Sequence, residues 1–113
     1  MKELNVILKS LADINRVRIL KLLEKRHMCV CELAFVLKVT QPSVSRHLKK
    51  LISAGLVAGE QDGYWKNYYL VTDSKYAKSL LGSLKTWLND DTMIVEDMRR
   101  AAKANREKLC CKK

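Results

Sequence analysis

Acidic residues are scarce in this chain: 12 Asp and Glu stand against 22 Lys and Arg, for a formal net charge of +10 over 113 residues. An imbalance of that size favours a polyanionic partner, nucleic acid before an anionic membrane surface. Long hydrophobic runs are also missing. Nothing approaches the roughly 20 apolar residues needed to span a bilayer, and no charged, apolar, small-residue series at the N-terminus reads as a signal peptide, so we expect a cytoplasmic protein with no membrane partner. With only His27 and His47 in the chain, a histidine-rich metal site is not expected. No nucleophile and base pair, phosphate loop or paired carboxylates stand out, which argues against an enzyme and against an organic cofactor. There is no internal repeat and no linker, so residues 1–113 read as one domain.

What is present is organised around Met28 to Ala54, two short helices joined by a tight turn. The second, Thr40 to Ala54, carries Val44, Leu48, Leu51 and Ile52 at inward-packing spacing and leaves Arg46, Lys49, Lys50, Ser43 and Ser53 on the other side. Thr40 is placed to cap it and Pro42 sits in its first turn, where a missing amide hydrogen costs nothing. The first opens with Cys29-Val30-Cys31-Glu32, spaced as a capping box with Cys29 at N-cap and Glu32 at N3. Residues i and i+2 of a continuous helix point about 200° apart, but an N-cap residue has non-helical dihedrals and escapes that limit. The positive helix end should favour thiolate there, readying the pair for a soft ion.

Before this unit, Leu4, Ile7, Leu8 and Leu11 mark a short amphipathic helix. Asp13 should cap a second, with Ile14, Val17, Leu20 and Leu23 apolar and Arg18, Lys21 and Lys25 on a basic side. After it, Gly55 ends the basic helix. Leu56 to Gln61, Asp62-Gly63 and Tyr64 to Leu70 form a β-hairpin with Tyr68 and Leu70 facing the core, leaving Lys66 and Asn67 for phosphate. Thr72, Asp73 or Ser74 caps a fifth helix with Ala77, Leu80, Leu81, Leu84, Trp87 and Leu88 in period, and a sixth carries Ile94, Val95, Met98, Ala101, Ala102 and Leu109 on one face. Faces this apolar outside the basic unit suggest a dimer interface. The expected fold is mainly α with a β-hairpin wing (α+β), a winged helix-turn-helix in the order ααααββαα. Its DNA-reading core covers about 13–70, and it dimerises through terminal helices at 1–12 and 74–109.

The four cysteines, in a chain read as cytosolic, suit metal or redox chemistry better than structural disulfides. From Leu4 to Leu70 the sequence resembles the ArsR/SmtB family of winged-helix metalloregulators. The resemblance is carried by Leu11-Ala12-Asp13 with Arg16 and Arg18-Ile19-Leu20, by Cys29-Val30-Cys31-Glu32-Leu33-Ala34, and by Gln41-Pro42-Ser43-Val44-Ser45-Arg46-His47-Leu48. Ala54-Gly55-Leu56-Val57 and Gly63 with Tyr68-Tyr69-Leu70 complete it. It implies a homodimer that represses transcription from a palindromic double-stranded operator and lets go when a toxic metal or metalloid binds. DNA contacts are then expected from Gln41, Ser43, Ser45, Arg46, His47, Lys49 and Lys50, with Lys66 and Asn67 on the wing. Dimer contacts are expected from Leu4, Leu8, Leu80, Leu84, Trp87 and Leu88. Arsenic-responsive members often carry a third cysteine where Ala34 stands here, so a three-sulfur site would draw on Cys110 or Cys111 beside Cys29 and Cys31. The expected inducer is trivalent arsenic, with antimony next. Cadmium or lead sensing, thiol redox sensing, and constitutive DNA binding with incidental cysteines are the alternatives.

Overall fold

The computed structural model describes residues 1–105 and Leu109; Cys110 and Cys111, named above as ligands, lie outside the described residues. The elements run α1 (Lys2–Ser10), α2 (Ile14–Leu23), α3 (Val30–Leu37), α4 (Gln41–Ser53), β1 (Val57–Asp62), β2 (Trp65–Leu70), α5 (Lys75–Leu84) and α6 (Thr92–Lys103), the expected order. Local chemistry explains most of the starts. Asp13 Oδ1 accepts from the amides of Asn15 at 2.8 Å and Arg16 at 3.2 Å. Thr40 Oγ1 accepts from Ser43 N at 3.3 Å, Ser74 Oγ from Ala77 N at 3.1 Å, and Asp91 Oδ1 from Met93 N at 2.9 Å. Lys38, at φ +60°, turns the chain between α3 and α4 while its amide bonds Ala34 O at 2.9 Å.

Helix α2 runs through the middle, with Ile19, Leu20, Lys21, Leu22 and Leu23 all buried, and packs against α3, α4, α6 and β2. Lys21, expected on a basic surface, is therefore a core residue. Its ammonium has three donors and uses them on Leu84 O at 2.8 Å, Asn89 Oδ1 at 2.9 Å and Glu24 Oε1 at 3.0 Å, which is what makes a buried cation tolerable. The same contact helps to explain why α5 stops at Leu84 instead of continuing to Leu88. With Leu84 O engaged by Lys21, the chain tightens into i→i−3 bonds from Thr86 N to Ser83 O and Trp87 N to Leu84 O, both 3.0 Å, and Leu88 adopts φ +66°.

The sixth helix departs from its wholly apolar face. Its buried residues are Ile94 and Asp97, while Val95 is exposed. Asp97 takes Arg18 Nε and Nη2, each at 2.8 Å, and Arg100 Nη2 at 2.9 Å; Arg100 Nε reaches Val36 O at 2.7 Å. One carboxylate thus holds α6 to α2, and a neighbouring guanidinium holds it to the end of α3.

In the hairpin, β1 and β2 pair antiparallel from Val57↔Leu70 to Asp62↔Trp65. Asp62 is still in the strand, so the two-residue turn is Gly63–Tyr64, one position later than expected. Gly63 lies at φ +61° and Tyr64 is outside the left-handed region, which fits a turn needing glycine first. Met28 exchanges backbone hydrogen bonds with Tyr68, 3.2 Å from its amide and 2.8 Å to its carbonyl, and so adds a short third rung to the wing just before Cys29.

Candidate DNA-binding surface and cysteine cleft

Helix α4 buries Val44, Leu48 and Leu51, which fixes the face it turns outward. Ile52, expected inward, is exposed, because the core closes over Leu51 and the helix ends at Ser53. Gln41, Ser45, Arg46, Lys49 and Lys50 are exposed and Ser43 is half-buried. Among the described residues Arg46, Lys49 and Lys50 enter no ion pair, so their charge is available to a partner. The other basic stretch, Arg16 to Arg26, is largely spent inside the molecule. Arg16 Nε binds Ser10 O at 2.6 Å, Arg18 binds Asp97, Lys21 is buried, and Arg26 pairs with Glu32 at 2.9 Å. His47 turns toward the cap of α2, with Nδ1 4.0 Å from Asp13 Oδ1 and the side chain only 15% exposed. On the wing Lys66 is exposed with Nζ 5.8 Å from the Tyr68 ring centroid, and Asn67 donates to Asp62 Oδ2 at 3.1 Å.

Cys29 is the N-cap of α3, and the capping box is complete: Glu32 N–H faces the Cys29 sulfur, and Cys29 N donates to Glu32 Oε1 at 3.0 Å. Cys29 is buried and Cys31 half-buried at the second helical position. The expectation of an acidified thiol at Cys29 fails. Burial pushes its pKa up, and the nearby Glu32 charge adds to that, outweighing the hydrogen bond from the Glu32 amide. The helix end contributes a favourable dipole, but a desolvated thiol beside a carboxylate stays protonated.

Cys29, Val30, Cys31, Gln41, Tyr64, Trp65, Lys66 and Leu109 line one cleft of about 400 Å³. It brings together the cysteine pair, the first residue of α4 and the tip of the wing. Sequence reasoning found the cysteines, Gln41 and Lys66 but not Tyr64 and Trp65 as walls, since nothing local says which way a hairpin leans. It also missed Arg26, whose Nη1 reaches Glu32 Oε2 at 2.9 Å and whose Nη2 reaches Ala101 O at 3.2 Å, linking the start of α3 to α6. Among the described residues no group of three His, Cys, Asp or Glu side chains is placed to hold a metal ion.

Of the expected interface residues, Leu84 is buried in this chain's own core, and Leu4 and Leu80 are half-buried. Leu8 at 54% and Trp87 at 52% are well exposed, with Leu88, Ile14 and Met93 also outside. Leu11, Ile14, Val17, Leu88, Met93 and Ile94 line an apolar groove of about 490 Å³ between the start of α2 and the start of α6. No helix is long and apolar enough to cross a membrane among the described residues.

Residues 13–58 match the family of bacterial regulatory proteins of the arsR type. The arsenic resistance transcriptional regulator ArsR2 of Pseudomonas putida is 31% identical over 93% of this chain and 95% of its own length. Among solved structures, the transcriptional repressor BigR from Xylella fastidiosa superposes with a TM-score of 0.67 at 26% identity, covering 80% of this chain and 89% of that one. The fold is also that of the homodimeric winged helix-turn-helix DNA-binding domain Mb0332 from Mycobacterium bovis, with a TM-score of 0.67 at 22% identity over 79% of this chain and 81% of that one. With the basic face of α4 set beside a hairpin wing, these likenesses make the chain a member of the ArsR family, a DNA-binding winged helix-turn-helix transcriptional repressor and not an enzyme.

Proposed function

We propose that the protein is a homodimeric repressor of a metalloid-resistance operon. It occupies a palindromic operator and releases it when trivalent arsenic, or antimony, binds Cys29 and Cys31 together with a thiolate from Cys110 or Cys111. The observation that carries this reading is the shared cleft, where the cysteine pair meets Gln41 of α4 and Lys66 of the wing. An ion seated there touches two elements that face DNA. Soft sulfur donors suit trivalent arsenic, and a third must come from outside the described residues. Leu109 lines the same cleft and Cys110 follows it in the chain, which supports the tail as the source. The deciding experiment measures operator affinity of the reduced protein with arsenite, antimonite, cadmium and lead in turn. Release by cadmium or lead alone would transfer the reading to those ions, and release only on mild oxidation would make it a redox sensor.

On the DNA side, Arg46→Ala should weaken operator binding by about 1–3 kcal/mol and relax sequence preference if the guanidinium makes a bidentate base contact. Lys49→Ala and Lys50→Ala, as phosphate contacts, should weaken operator and random DNA alike and each reduce the salt slope by about one. Equal losses on both DNAs for Arg46→Ala would remove its assigned role.

For assembly, the exposed apolar side chains around Leu8 and Trp87 are the surface a second copy would cover. Leu8→Asp and Trp87→Asp should give folded monomers that lose the operator, because one half-site contact binds far more weakly than two linked ones. Leu84→Asp is unsuitable, since it would place a charge in the core. Sedimentation showing intact Trp87→Asp dimers would count against this interface.

A further inference from the structure

The cysteine cleft is roofed by the wing. Tyr64, Trp65 and Lys66 line it opposite Cys29 and Cys31, and the same three residues form the hairpin's turn and the start of β2. Tyr64 sits in the turn, 62% exposed, with its ring edge-on to Trp65 at 6.2 Å. At the base, the residue before Cys29 is bonded through both backbone groups to Tyr68. Across the ladder Tyr68 pairs with Gly59, and its ring lies over that glycine closely enough that a Cβ there would stand 2.9 Å from it. Helix α4, by contrast, offers only Gln41 to the cleft while Val44, Leu48 and Leu51 anchor it in the core.

Closing Cys29 and Cys31 on one occupant loads the backbone next to Met28, and a shift there passes through the bridge to β2. From Tyr68 to the turn is about 14 Å at ~3.4 Å per residue. A tilt of roughly 8° at the bridge would move the tip by about 2 Å, enough to break a hydrogen bond to a phosphate. We propose that the wing, tied to the cysteine segment by the Met28–Tyr68 bridge and contacted directly through Tyr64, carries occupancy of the cleft to the DNA, with Tyr64 as the positioning residue. The identity of the occupant rests on the sensing reading above; the mechanical route does not.

The chain has two tryptophans and Trp65 stands in the cleft wall, so the part of an emission change that Trp65→Phe removes reports on the cleft. Sodium arsenite should change emission of the unaltered protein, and Trp65→Phe should remove that change. Tyr64→Ala should raise the arsenite needed for operator release about tenfold or more relative to the midpoint of its own emission change, with each variant's own operator affinity as the reference. Tyr64→Phe, which keeps the ring, should behave as the parent. Tyr64→Ala releasing at the parent's midpoint would overturn the proposal. If arsenite changes neither emission nor operator binding in the parent, the sensing reading fails and a second occupant judges the wing. That occupant is N-ethylmaleimide on a variant whose one cysteine is Cys31. Release on alkylation that Tyr64→Ala suppresses supports the wing route, whereas release in both variants, or in neither, overturns it.

Discussion

Asp97→Ala should destabilise the fold by about 3 kcal/mol, the lower end of what is lost when one partner of a buried ion pair is removed. The carboxylate is fully buried and receives three charge-assisted hydrogen bonds, two from Arg18 and one from Arg100. Without it two guanidiniums are left side by side, repelling each other and stripped of most of their water. Their side chains keep 11% and 19% exposure, so some solvent remains to screen them, which is why the lower end applies. The loss should spread beyond stability. Asp97 and Arg100 together hold α6 against α2 and against Val36 O at the end of α3, so the variant should lose operator binding at temperatures where the parent is folded. Urea unfolding gives the number. A cost below about 1 kcal/mol would mean that water replaces the carboxylate. Replacing all three residues with apolar ones, Arg18→Met, Asp97→Leu and Arg100→Met, should recover part of the stability, because the penalty lies in the orphaned charges.

The legible parts of this chain were those whose cause is local. Asp13, Thr40 and Ser74 each cap a helix by bonding an amide two or three residues on, and Glu32 closes the Cys29 box over the same distance. The order of elements, the cysteine pair and the basic face of α4 followed from such short-range patterns. What escaped had distant causes. Lys21 reads as surface lysine because its acceptors, Leu84 O and Asn89 Oδ1, come 63 and 68 residues later. Leu84, expected at an interface, lies in the core beside that contact. Arg18 and Lys21 read from sequence as part of a basic side of α2, whereas Asp97 and Glu24 take them up in the fold, as Glu32 takes up Arg26. Net charge thus points to a class of partner without saying which basic residues face it. The acidity expected at Cys29 failed similarly, since a helix dipole can be read from sequence but the burial that outweighs it cannot.

Cys29→Ser and Cys31→Ser should each leave operator affinity nearly unchanged and abolish release by arsenite. Ser is at least as good an N-cap as Cys, so Cys29→Ser keeps the start of α3. A hydroxyl is a hard donor that does not replace a thiolate on trivalent arsenic. Cys110→Ser or Cys111→Ser alone should be partly rescued by the neighbouring sulfur, and the double variant should not. If the double variant releases at the parent's arsenite concentration, the tail supplies no ligand. The pH dependence then separates the ions. Arsenous acid reacts with three protonated thiols to give the trithiolate and three waters, As(OH)3 + 3 RSH → As(SR)3 + 3 H2O, with no net proton change. A divalent ion must instead displace protons into solution. Because burial holds the Cys29 thiol protonated above its ordinary range, that displacement persists throughout neutral pH. The arsenite midpoint for release should therefore stay flat between about pH 6 and 8, while a cadmium midpoint should fall about tenfold per pH unit for each proton displaced. An arsenite midpoint that falls steeply with pH would mean that the sulfur atoms it meets start as thiols and end bound to something other than a neutral trithiolate, and the three-cysteine site would have to be abandoned.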